Sequence, residues 1–448
     1  MTGPDTAIVE TFDHAARLAP LPDLVGQTDL VHALGYVIKV TGTTLRVRFE
    51  RLALGSICRL ASGYSKGTLA QVIALDDKVA TLSVLGDASR IRVSDRVEFV
   101  SDELEFDFHD DLLGAVVDGV GRPIDGTSFA SSTKRTVHGA PVSVLDRPVI
   151  DSPFQTGVQA IDGFLTLGRG QRIALFGPPG CGKSILLSKI MAHCSADVVV
   201  LALVGERGRE VQEFLQRHLP EETRKRAVVV VSTSDRPALE RYYAVHLASS
   251  IAEAYREKGK NVLLMVDSLT RVARALREIG LAAGEPAVRR GFPASVYPAL
   301  PKIIERAGRA KVGDITAIYT VLVEGDSASD PIADEIKSLT DGHIELSREF
   351  ASEGLFPAVD VVRSLSRVMP EVVTKDHMEL AEKGRRLLAK FDELKLLIQI
   401  GEYVEGRDEL ADEAIAKIKD LKSFIHSNGK EKSGPMRLVA REMHKVLN

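Results

Sequence analysis

One octapeptide limits what this chain can fold into more than any other stretch. Gly177-Pro178-Pro179-Gly180-Cys181-Gly182-Lys183-Ser184 follows directly on the apolar run Arg172-Ile173-Ala174-Leu175-Phe176 and is followed by a second one, Ile185 to Met191. Glycines at that spacing let the backbone turn tightly and aim N–H groups at phosphate oxygens, while a terminal lysine and hydroxyl meet the β- and γ-phosphates and a Mg²⁺ ion. The pattern demands a strand before the loop and a helix after it, and the helix adds the positive end of its dipole. An α/β unit that binds a nucleoside triphosphate is therefore expected. Gly177, Gly180, Cys181, Gly182, Lys183, Ser184 and Ile185 would surround the phosphates, and Ser184 would also ligate the metal.

Other parts of the chain repeat the strand half of this pattern. Asp197 to Val204, Ala227 to Ser232, Asn261 to Asp267 and Ile315 to Val323 are apolar runs separated by helical segments. Uninterrupted apolar strands alternating with helices indicate a parallel sheet covered on both faces. Asp267 closes one of these runs, a position from which a carboxylate can hold the Mg²⁺ shell of ATP. Glu206 lies just beyond another, in Gly205-Glu206-Arg207-Gly208-Arg209-Glu210, where it could polarise the water that attacks the γ-phosphate. Arg209 and Glu210 read as a solvated helix start.

The flanking regions differ in character. From Leu30 to Val100 short β segments are punctuated by Gly42, Gly55, Gly63 and Gly86, which suits a small β-barrel. Leu112 to Gly126 is glycine-rich and reads as a connection into the nucleotide unit. Beyond Pro370, stripes such as Leu380, Leu387, Phe391 and Leu394 predict helices, with breaks at Gly401, Asn428-Gly429 and Gly434-Pro435. Residues Thr6 to Leu18 carry a small amphipathic pattern suited to docking a partner or to a frayed end. The expected division is a helical arm at 1–28, a β-barrel at 29–101, an α/β nucleotide-binding core at 102–368 and a helical C-terminal domain at 369–448.

Composition excludes several function classes. A net charge of −4 over 448 residues provides no global basic field for nucleic acid. A barrel that binds single strands should offer exposed aromatics on a basic groove, and aromatics are sparse here. Cys58, Cys181 and Cys194 match no metal or disulfide framework and suit a reducing cytosol. No secretory leader or run of about eighteen apolar residues is evident, so neither export by that route nor a membrane span is expected.

The cradle, Gly205-Glu206-Arg207, Asp267-Ser268-Leu269-Thr270-Arg271 and Pro357 to Arg367 together resemble the rotary ATPase superfamily, the α and β subunits of ATP synthases and their relatives. The longer matches at Gly205 to Val211, Asp267 to Leu276 and Ala283 to Pro293 are similar to the ATPases of type III protein secretion, flagellar and injectisome alike. Pro178-Pro179 and Cys181 depart from the smaller residues common in that family. The resemblance implies an N-terminal β-barrel, a RecA-like P-loop core and a helical C-terminal domain, assembled as a homohexameric ring with ATP and Mg²⁺ at each subunit interface. Such a ring would energise protein export through chaperone release and substrate unfolding at an export gate. It implies Lys183, Glu206, Arg207 and Arg367 as catalytic residues: Glu206 as the carboxylate, Arg207 on the γ-phosphate and Arg367 entering the neighbouring subunit's site. Phe356 would pack on adenine. The implied partners are other copies of the chain, a peripheral stator at the N-terminal arm, a central stalk, the export gate and chaperone–substrate complexes, but no nucleic acid. The implied place is the cytoplasm, at the inner face of the membrane once assembled. Three alternatives share the core: a non-hydrolytic ring subunit, which lacks the glutamate at the Glu206 position; an ATP synthase β-type subunit, which needs partner α chains; and a hexameric RNA translocase.

Overall fold

The structure, a computed structural model, describes residues 34–49, 51–129, 132–323, 330–426 and 434–448. The proposed arm at 1–28 and the expected break at Asn428-Gly429 lie outside the described residues. Six antiparallel strands come first: β1 (Leu34–Thr41), β2 (Thr44–Arg48), β3 (Ile57–Leu60), β4 (Leu69–Asp76), β5 (Val79–Leu85) and β6 (Arg96–Ser101). They close into a barrel in the order β1-β2-β5-β4-β3-β6, with β6 pairing back onto β1. Alternation puts Leu45, Val47, Val72, Leu82, Val84 and Val97 inside. Gly42, at φ +56°, makes the left-handed turn between β1 and β2.

The central sheet runs through β7 (Val116–Asp118), β8 (Arg172–Gly177), β9 (Val198–Val204), β10 (Ala227–Ser232), β11 (Asn261–Asp267), β12 (Asp314–Leu322), β13 (Gly342–Leu346) and β14 (Val359–Ser366). Their spatial order is β14-β13-β8-β12-β11-β9-β10-β7, and every pair along it is parallel except β13 with β14. Every residue of β9 is buried, and the strand feeds two cores by alternation. Val200, Ala202 and Val204 pack into one of them, Val199, Leu201 and Leu203 into the other. Two features differ from the expected all-parallel sheet with a loop at 112–126. Val116-Val117 pairs with β10 as a short edge strand. β14 runs antiparallel because residues 347–358 turn back through one short helix, Arg348–Ser352, instead of crossing over the sheet.

Helix α1 (Lys183–His193) leaves the glycine loop. Helices α2 (Ala238–Glu257), α3 (Leu269–Ala282) and α4 (Val296–Ile304) share one core, while α5 (Lys375–Gln399), α6 (Glu409–Ile425) and α7 (Met436–Leu447) join the other. Thr374 caps α5 and Asp408 caps α6, its carboxylate accepting from the Leu410 N–H at 3.0 Å. The C-terminal helices close on Phe164, whose ring meets Phe424 edge-on at 5.9 Å. A Cβ at Gly384 would stand 2.6 Å from the Phe164 ring, so α5 approaches this closely only with glycine there. Among the described residues no helix is long and apolar enough to cross a membrane.

Candidate nucleotide site

Strand β8 lies between β12 and β13, so its end is fixed by hydrogen bonds on both sides. The chain leaves it at Gly177 and turns through Gly180 (φ +84°) and Gly182 (φ +76°), conformations that glycine alone adopts freely. A Cβ on Gly182 would also stand 3.0 Å from the ring of Phe356, which therefore rests directly on the loop. Cys181 turns the other way: its side chain is buried among Leu186 and Leu187, and burial raises its thiol pKa. At this position only backbone remains to face a phosphate.

Beside the loop opens a cleft of about 670 Å³. Lys183, Ser184, Ile185, Glu206, Asp267 and Arg271 all line it. A slightly larger hollow of about 710 Å³ lies across Gly177-Pro178, walled by Arg348, Phe350, Arg363 and Lys395, but it holds none of the catalytic candidates. The phosphate chemistry belongs to the first cleft. There the Lys183 ammonium sits 2.5 Å from the Asp267 Oδ1. The Thr320 hydroxyl donates to the same oxygen at 2.7 Å. Asp267 is thus held by a neighbour on β12, and its own strand end places it opposite the start of α1.

Glu206 faces the pair from the end of β9. Arg271 on α3 reaches back across the strand ends to Glu206 at 3.0 Å and donates to the Gly205 carbonyl, fixing the carboxylate's position. The Glu206 pKa is pushed up to about 7, chiefly by burial, then by a shared hydrogen bond with Glu210 and by the Asp267 charge. Arg271 and Lys183 pull the other way. Glu210, at the exposed helix start where it was expected, is held below the usual carboxylate range as the acceptor of that bond. A carboxyl poised near neutrality in a cleft beside a lysine–carboxylate pair has the protonation range a general base needs.

The remaining site candidates fall elsewhere. Arg207 lines the rim with its side chain 80% exposed, 3.5 Å from Glu210. Phe356 is half-buried against the loop and is not among the residues lining the cleft. Arg367 lies at the other end of the sheet: its N–H bonds to the Asp341 carbonyl, and the Asp341 N–H to that of Arg172, where β8 begins. β8 spans six residues from there to the loop. At ~3.3 Å per residue that is roughly 16 Å, beyond the reach of an arginine side chain. Arg271 and Thr320 were not singled out from the sequence. Arg271 stands in the motif beginning at Asp267, and its charge four residues, about one helical turn, beyond a strand-end carboxylate was the available signal; Thr320 offered none.

Comparison with known proteins places this geometry. Residues 157–366 match the ATP synthase alpha/beta family nucleotide-binding domain, 37–101 its beta-barrel domain, and 373–441 the T3SS EscN ATPase C-terminal domain. The type 3 secretion system ATPase of Sinorhizobium fredii is 47% identical over 403 residues, 89% of each chain. The chain belongs to the type III secretion system ATPases. It is an ATPase with the barrel, nucleotide-binding core and helical C-terminal region of that family. The assembled ATPase EscN from enteropathogenic E. coli superposes with a TM-score of 0.88 at 46% identity, covering 92% of this chain and all of that one. The same protein in complex with its central stalk EscO gives 0.85 at 45% identity, with the same coverage.

Proposed function

We propose that this chain hydrolyses ATP at the interfaces of a homohexameric ring and so energises type III protein export, releasing chaperones and unfolding substrates at an export gate. The observation that carries the reading is the split of the machinery between two ends of one sheet. Lys183, Asp267 and Glu206 converge within one cleft, whereas Arg367 sits a full strand length away. A neighbouring copy is what can bring such an arginine to the cleft.

The roles follow from the chemistry. Lys183, drawn from Asp267 to the entering phosphates, would neutralise charge on the β- and γ-oxygens. Ionised Glu206, oriented by Arg271, would take a proton from water in line with the γ-phosphorus. Arg367 of the adjoining copy would then meet the charge developing on the transferred group, an effect worth about 10³ to 10⁵ in rate in other nucleotide hydrolases. Ser184 and Asp267 present only oxygen donors, which suits Mg²⁺, a hard cation that keeps most of its shell as water and phosphate oxygen. When bound, Mg²⁺ would neutralise phosphate charge. We place Phe356 on the adenine and Arg207 at the γ-phosphate on the strength of the family pattern.

The likeness to EscN in complex with a central stalk supports a stalk partner for this chain too. A peripheral stator at the N-terminal arm and a station at the cytoplasmic face of the inner membrane belong to the same proposal. The test is phosphate release by the purified chain against its concentration, with and without Mg²⁺ and single-stranded RNA. Turnover that needs Mg²⁺, rises per chain as copies assemble and ignores RNA is expected. RNA-stimulated turnover would favour the translocase, and none at any concentration would favour a non-hydrolytic subunit.

A further inference from the structure

The segment that links β7 to β8 carries an unusual surface. Val144, Leu145 and Val149 are 84%, 95% and 80% exposed within six residues. They are held out firmly. Arg147 donates to the Val142 carbonyl at 3.1 Å and pairs with Glu305 at 2.9 Å, Lys311 meets Asp146 at 2.5 Å, and Arg309 donates to the Val149 carbonyl at 2.6 Å. A loop fixed by side chains from the body of the protein yet presenting three apolar groups to water has the form of a preorganised contact.

Its location identifies the occupant. A Cβ on Gly168 would meet Ile150 at 2.2 Å and Val368 at 2.8 Å, so the end of this loop and the residue after Arg367 flank one buried glycine. Glu305, which holds Arg147, also holds Arg172 at 2.5 Å, and Arg172 pairs with Asp341, whose carbonyl accepts from the Arg367 N–H. The apolar loop and the arginine thus share one edge of the molecule and one chain of ion pairs. We propose that the Val144–Val149 loop seats on a second copy of this chain, against the rim of the cleft that receives Arg367, where Pro179 and Ile185 are exposed. This rests on the reading that Arg367 acts across an interface. Docking of the loop and delivery of the arginine then form a single event, with the ion pairs fixing the spacing between them.

The experiment compares full-length wild type with Leu145→Asp and Leu145→Met. Assembly is followed by sedimentation against concentration, and nucleotide binding with a fluorescent ATP analogue. A charge at a side chain this exposed leaves the fold intact, so Leu145→Asp should keep its melting temperature and nucleotide affinity. Its assembly midpoint should rise by about tenfold or more, with turnover per chain falling in parallel, and Leu145→Met should follow wild type. An assembly curve for Leu145→Asp that superimposes on wild type would overturn the proposal and leave the patch to another partner. So would a lowered melting temperature, or a wild type that stays monomeric throughout. If Arg367→Ala instead assembles and hydrolyses normally, the trans-acting reading fails while the sedimentation result still decides the docking surface.

Discussion

The protonation of Glu206 gives the sharpest handle on the chemistry. With its pKa at about 7, about a tenth of the carboxyl is ionised at pH 6 and about nine-tenths at pH 8. A general base works only when ionised, so rate is lost as pH falls through that value and recovered as it rises. Because kcat/KM reports the free enzyme, it should climb about tenfold between pH 6 and pH 8, measured as phosphate release at subsaturating ATP. Glu206→Gln should lower turnover by about 10² or more and abolish this limb while ATP still binds.

The cause of the shift adds a second arm. Burial comes first, but the shared hydrogen bond with Glu210 also raises the pKa. In Glu210→Gln the carboxylate that accepts the Glu206 proton is gone. The protonated form loses that stabilisation, the pKa falls, and the acid limb should move to lower pH, so this variant should keep more of its activity at pH 6 than wild type does. A flat wild-type profile would refute the assignment of the base. A limb that survives in Glu206→Gln would assign it to another group, and one that stays in place in Glu210→Gln would refute the carboxyl pair.

Lys183→Ala should abolish hydrolysis and weaken ATP binding, since it removes the charge that meets the β- and γ-phosphates; near-wild-type turnover would sink the site. Arg306→Ala should destabilise the fold by about 3–5 kcal/mol in denaturant melts, because it strands the buried Glu253 carboxylate that Arg306 grips at 2.9 and 2.7 Å. Arg367→Ala should bind nucleotide and be nearly inactive, and mixed with Glu206→Gln it should regain partial turnover, because some interfaces then pair an intact Glu206 with a neighbour's intact Arg367. With subunit exchange confirmed by tagged chains, a mixture that stays inactive would remove support for action in trans.

What could be read in the sequence tracks how local the physics is. The glycine cradle was legible because three glycines, a lysine and a serine define a backbone path within eight residues. The strands β8, β10 and β11 were legible to the residue because both faces of each are buried and their apolar runs are unbroken. β3 escaped: four residues are too few to show a period. β7 escaped because a three-residue edge strand inside a glycine-rich run looks like a turn. The hold of Thr320 on Asp267 and of Arg271 on Glu206 was illegible for another reason. Each joins elements whose adjacency is set by the order of strands in the sheet, and no spacing along the chain encodes that order. Arg367 is a third case. Its motif pointed to the nucleotide, yet the folded chain holds it at the opposite end of the sheet from the loop it is meant to serve. Under the proposed action in trans, motif and position would agree once a second copy is added. The distance inside one chain is the reason for proposing that the functional unit contains more than one.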